Sequence, residues 1–152
     1  MTVIENLVCN PRKGFADFEV VLLLMSLEQA IHNRWASDTV LPLLVLPERF
    51  TTGAARSRPR LPFAELHHMG HRSNSGGSHY RVAEVELALI VYAATLEELK
   101  TVAAALLDRF DGAAFDLVLG RVLRMRLVDH QERRHAEGTW QGTFTFLAVV
   151  AR

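Results

Sequence analysis

The chain has 152 residues, 49% of them hydrophobic and 22% charged, with 17 basic side chains against 17 acidic ones. That length suits one domain with a real core, and zero net charge gives no bulk attraction to nucleic acid or membrane. One cysteine, Cys9, excludes an intramolecular disulfide and a Cys-based zinc site, and no apolar run approaches the roughly 20 residues of a membrane helix.

Residues 1–24 differ from the rest of the chain. Asn10-Pro11-Arg12-Lys13-Gly14 reads as a turn, and Phe15–Met25 is apolar without a clear period. This segment reads either as an extra strand or as an extension upstream of a native start at Met25, with the functional domain spanning 25–152. Ser26 with Gln29 has capping-box spacing. A first helix is expected from about Leu27 to Ser37, with Leu27, Ala30, Ile31 and Trp35 on one face. Leu43–Leu46 reads as a short strand. A loop rich in Gly, Ala, Ser and Arg extends from Thr51 to Arg60.

Phe63–Met69 reads as a strand and Gly70–Ser78 as a polar glycine-rich loop. The next stretch organises the chain. Ala83, Val85, Leu87, Leu89 and Val91 repeat at a period of two, which predicts a strand with one fully buried face. Its other face begins with Glu84 and Glu86 and turns apolar at Ala88, Ile90 and Tyr92. Thr95 and Glu98 form a capping box, and Leu96, Leu99, Val102, Ala103, Leu106, Leu107 and Phe110 make a helical stripe that ends at Gly112. A loop is expected through Asp116, with Phe115 tucked onto the core. Val122–His130 alternates, Gln131–Gly138 is a charged turn, and Thr139–Val150 alternates again, which predicts an antiparallel hairpin. The fold class is α+β, with a mostly antiparallel sheet and two helices packed on one face.

No catalytic constellation emerges. His67, His68 and His71 carry an H-H-x-x-H spacing, but neighbouring strand residues point to opposite faces, so His67 and His68 cannot easily share an ion. Solvated loop histidines are the preferred reading, and a His-dependent metal hydrolase is the less favoured one. Glu84 and Glu86 read better as a solvated or subunit-contacting face than as a catalytic pair. No cofactor motif and no metal site is assigned. Arg56, Arg58 and Arg60 have no acidic neighbour between Glu48 and Glu65, which makes them the better candidate for a DNA-facing loop. A second basic set, Arg121, Arg124, Arg126, Arg133 and Arg134, is partly offset by Asp129, Glu132 and Glu137. Leu147 and Val149 are apolar on the side away from Phe146 and Ala148. With Glu84, Glu86, Ile90 and Tyr92 they form a candidate subunit interface, unless residues 15–25 cover that surface.

The order of these features resembles a known family. Met25-Ser26-Leu27-Glu28 opens a short helix, Leu61-Pro62-Phe63-Ala64-Glu65-Leu66 comes after it, and then a polar glycine loop. Residues 85–106 then carry V-x-L-x-L-x-V-Y-A-x-T-x-E-E-L-x-x-V-A-x-x-L, and a glycine and a hairpin finish the chain. The pattern over residues 25–152 resembles the tail-completion, tail-terminator and head–tail joining proteins of tailed bacteriophages and gene transfer agents. Residues 1–24 and the His-rich loop 67–79 depart from it. The resemblance implies a non-enzymatic virion protein that assembles with copies of itself into a ring, usually six-fold. The ring would sit at the head-proximal end of the tail, end tail-tube polymerisation and meet the head connector, with double-stranded DNA passing through its lumen. It implies no membrane partner and no cofactor. A generic α+β binding module is the alternative from another class.

Overall fold

The computed structural model describes residues 11–55, 57, 59–74 and 82–152, and for residues 11–20, 73 and 74 the backbone only. The elements in order are α1 (Pro11–Ala36), a single-turn α2 (Leu41–Leu44), a 3-10 turn (Pro47–Arg49), β1 (Phe50–Thr52), β2 (Phe63–Asn74), β3 (Val82–Ala93), α3 (Leu96–Phe110), β4 (Ala113–Leu117), β5 (Gly120–Arg134) and β6 (Trp140–Ala151). The six strands form one sheet in the order β1-β2-β3-β6-β5-β4. Four of the pairings are antiparallel, and β1 runs parallel to β2, so the sheet is mixed. It is curled into a half-barrel. No helix among the described residues is long and apolar enough to cross a membrane.

The β3–α3 unit forms as its sequence dictates. Thr95 Oγ1 accepts a hydrogen bond from the Glu98 N–H at 3.1 Å, and Glu98 Oε1 reaches back to the Ala94 N–H at 3.1 Å. The reciprocal bond therefore lands one residue before the expected cap. Leu99, Val102, Leu106 and Phe110 are buried against the sheet. The helix stops at Gly112, whose φ of +78° suits a residue without Cβ. Its N–H donates to the Met125 carbonyl at 2.6 Å, which starts the next strand.

Both long helices pack on one face of the sheet. The odd residues Ala83–Ala93 of β3 and the even residues Gly142–Val150 of β6 turn inward and are buried. All of these except Ala83 and Gly142 join Leu27, Ile31 and Trp35 of α1 in one core. The edge-on contact of Phe110 with Phe146, centroids 6.5 Å apart, links α3 to β6, and Trp35 lies 6.4 Å from Phe110. Burying each such side chain contributes about 1.5–3 kcal/mol.

The structure corrects several expectations. The first helix does not begin at Leu27. It runs unbroken from Pro11 through Met25 to Ala36, so Phe15–Met25 is helix and not an extra strand. Ser26 is therefore no cap, and its Oγ instead accepts from the Leu119 N–H at 3.3 Å. Leu43–Leu46 is not a strand. Pro42 favours a first helical turn, and Asp38 Oδ2 accepts from the Val40 and Leu41 N–H groups at 3.0 and 2.9 Å, so the chain coils over Leu41–Leu44. The strand that begins at Phe63 continues past Met69 to Asn74, with a bulge between His68 and Gly70, and takes in half of the expected glycine loop. The rest of that loop, residues 75–78, lies outside the described residues, as do residues 79–81. Ala113–Leu117 is an edge strand rather than a loop, although Phe115 does pack against the core as expected. The charged turn is shorter than expected, because β5 extends to Arg134.

Candidate assembly surface

The side of the sheet away from the helices is built by register alone. Residues paired across an antiparallel sheet share a face. Glu84 faces Val149 and Glu86 faces Leu147, while Ile90 and Tyr92 face Thr143 and Gln141. All six candidate interface residues therefore lie together on the face of two central, adjacent strands that the helices leave uncovered, although Ala88 on that face is buried. The described apolar side chains of α1 do not cover them, because Leu23 and Leu24 pack with the core on the opposite side.

Charge on this face is ordered. Arg124 and Arg126 lie opposite Val149 and Leu147 from the β5 side. Glu84 lies on the other flank and pairs with Arg72 Nη2 at 3.7 Å. Leu147 and Val149 thus form an apolar strip with carboxylates along one side and guanidinium groups along the other.

The far end of the face is aromatic and hydrogen-bonded. Phe63 stacks on Tyr92 at 4.5 Å, and the His135 ring lies 6.4 Å from Tyr92. His135 Nε2 is 2.7 Å from Gln141 Oε1. Burial raises the Tyr92 hydroxyl pKa, and the Glu65 charge and hydrogen bond add to the effect.

Glu65 is the residue that sequence reasoning missed. It is 8% exposed, a rare state for a carboxylate. Its Oε2 accepts from the Ala55 N–H at 2.8 Å, and its Oε1 lies 3.1 Å from His67 Nε2. A strand carboxylate between two apolar neighbours, Ala64 and Leu66, was the available signal. Its effect is to pin the root of the arginine loop to the sheet. Of that loop's three arginines, Arg60 is exposed, and Arg56 and Arg58 lie outside the described residues.

The histidines divide as the strand geometry requires. His67 shares the uncovered face with Glu65, whereas His68 stacks on His71 with centroids 5.3 Å apart. Among the described residues no group of three His, Cys, Asp or Glu side chains is placed to hold a metal ion.

A cleft of about 300 Å³ lies between α1 and the β4–β5 turn, lined by Ser26, Asn33, Arg34, Arg109 and Phe115 among others. Arg34 Nε donates to the Arg109 carbonyl at 3.1 Å, and its guanidinium sits 5.0 Å from the Phe115 ring centre. Arg109 faces Asp38 at 3.6 Å. Both arginines stand in the last turns of their helices, where they offset the negative ends of the helix dipoles. The cleft is thus a site where two helix C-termini are capped.

The two sheet edges are each half covered. β1 pairs with β2 only over Ala64–Leu66. β4 pairs with β5 only as far as Met125, and Asp111 Oδ1 then accepts from the Leu127 N–H at 2.9 Å. Among the described residues no strand lies outside β2 over 67–74 or outside β5 over 128–134. These two open stretches sit at diagonally opposite corners of the sheet.

Known proteins share this architecture. A chain in the virion of a native gene transfer agent particle has a similar structure, with a TM-score of 0.68 and 20% identity over 85% of this chain and 97% of that one. At that identity the likeness is one of fold. A search of curated proteins finds no match. The family model for tail completion protein gp17 matches residues 29–151, from the middle of α1 to the end of β6. The chain belongs to the tail completion protein gp17 family.

Proposed function

We propose that this protein is a structural, non-enzymatic component of a phage-like virion, assembled in the bacterial cytoplasm and built into a tail or tail-like particle. It forms a homo-oligomeric ring, six-fold in this reading, at the head-proximal end of the tail tube. There it ends tube polymerisation and joins the tail to the head connector, and double-stranded DNA passes through the lumen without sequence recognition. The carrying observation is the family match across almost the whole domain. The fold shared with a gene transfer agent virion chain supports it.

The physical basis is a heterologous interface that closes by rotation. Glu84, Glu86, Ile90, Tyr92, Leu147 and Val149 supply the intersubunit face in this reading, and Arg56, Arg58 and Arg60 supply lumen charge. Function then resides in shape and surface rather than in a reacting group. Electron microscopy of the purified protein, with mass photometry over a concentration series, tests the proposal. Rings with a central hole are expected. A strict monomer under all conditions, alone and with tail tubes, counts against it.

A further inference from the structure

We propose that successive copies in this ring join edge to edge, the open stretch of β2 (67–74) in one copy pairing antiparallel with the open stretch of β5 (128–134) in the next. The inference rests on the ring reading and names its contact.

Each open stretch presents a row of backbone N–H and C=O groups, which is a template for another strand. Neither contains a proline that would block pairing. One chain carries both templates, so a second copy is a partner that satisfies both at once. The β2 stretch carries Arg72 and three histidines with no acidic residue, whereas the β5 stretch carries Asp129 and Glu132 beside Arg133 and Arg134, so charge complementarity is local to Asp129 rather than a property of the whole stretch.

Register is set by the faces. Gly70 and Arg72 occupy the uncovered face through their partners Glu86 and Glu84. Asp129 and Gln131 occupy the same face through Thr145 and Thr143. A slip of one residue would invert every side chain. Placing Arg72 opposite Asp129 sets Gly70 opposite Gln131 and keeps the two faces continuous. The β2 edge also borders the half of the uncovered face that holds Glu84, Glu86, Leu147 and Val149.

Same-edge pairing is the rival. Two β2 stretches would set Arg72 and the histidines against one another. Two β5 stretches can pair about Gln131, with Asp129 opposite Arg133, but leave both β2 edges open.

The test uses the full chain with Cys9→Ser, adding Gly70→Cys and Gln131→Cys singly and together. Gly70 has open space where a Cβ would stand. Within one copy β2 and β5 are separated by β3 and β6, about 14 Å at the usual strand spacing and too far for a disulfide. After mild oxidation the double variant is expected to give a ladder of linked oligomers. Its yield should be about tenfold or more above either single variant, because paired thiols share a high effective concentration. Oligomers that form without this ladder overturn the edge contact and leave the ring standing. A linked dimer from Gln131→Cys alone, at the yield of the double variant, overturns it in favour of β5 pairing. A parent protein that stays monomeric overturns the ring reading and this inference with it.

Discussion

Val149 and Ile90 test the assembly surface most directly at the residue scale. Both are half-buried on the uncovered face. Either Val149→Asp or Ile90→Asp places a charge there without touching the helix-side core. The expected outcome is dissociated oligomers with an unchanged far-ultraviolet circular dichroism spectrum. Loss of the spectrum itself would assign these positions to the core. Asp38 tests the other side of the molecule. The Leu41 N–H holds its carboxyl below the ordinary carboxylate range, with burial opposing and the Val40 N–H and Arg109 adding to the effect. Asp38→Ala should lower stability by about 1–2 kcal/mol, as removal of a helix cap does, read from urea midpoints. A depressed folded-state pKa gives stability that is present above the unfolded carboxyl pKa and lost as pH falls through the folded one. The advantage of the parent over Asp38→Asn should therefore shrink as the medium is taken from neutral into that acid range. An advantage that does not change with pH would reject the linkage.

Gly142 shows at the element scale how close α3 approaches the sheet. A Cβ there would lie 2.9 Å from Leu99 Cδ1 and 3.0 Å from Phe144 Cε2. Leu99 can swing aside for a methyl group, so Gly142→Ala should cost little. Gly142→Val should cost about 1–3 kcal/mol by overpacking, measured by chemical denaturation, and a neutral result would mean that α3 can lift. Elements with a strong period were legible in the sequence. The β3 alternation, the α3 stripe with its Thr95 cap and the β5–β6 hairpin all appear where expected. The short edge strands were not legible. β1 has 3 residues and β4 has 5, too few to display a period, and tertiary pairing alone makes them strands. The run Leu41-Pro42-Leu43-Leu44 is apolar throughout and fits strand or helix equally, and the Asp38 carboxylate decides it. That the six candidate interface residues share one face was legible because strand parity fixes faces once the register is known. Glu65 was hidden because only the loop returning to Ala55 explains a carboxylate there.

At the scale of the whole molecule, Glu65 ties Ala55, at the root of the arginine loop, to the sheet. Replacing Arg56, Arg58 and Arg60 together should leave the fold intact, since Arg60 is exposed and exposed charges contribute little to stability. Particle assembly or DNA passage should fall if these side chains meet phosphates. Normal particle yield and transfer of DNA by the triple variant would reject the lumen role. The diagonal placement of the open corners has one more consequence, which concerns inclination. Arg72 lies in a row with Glu84 and Val149, whereas Asp129 lies in a row with Thr145, which pairs with Ala88. Joining the two corners advances each copy by four residues along β3 and β6, about 14 Å, while crossing four strands, about 19 Å. That ratio corresponds to strands inclined by about 35° to the ring axis, within the range that closed barrels adopt. A flush edge would stack copies level and upright, whereas in the proposed ring the diagonal edge would give every strand the slant that closure needs.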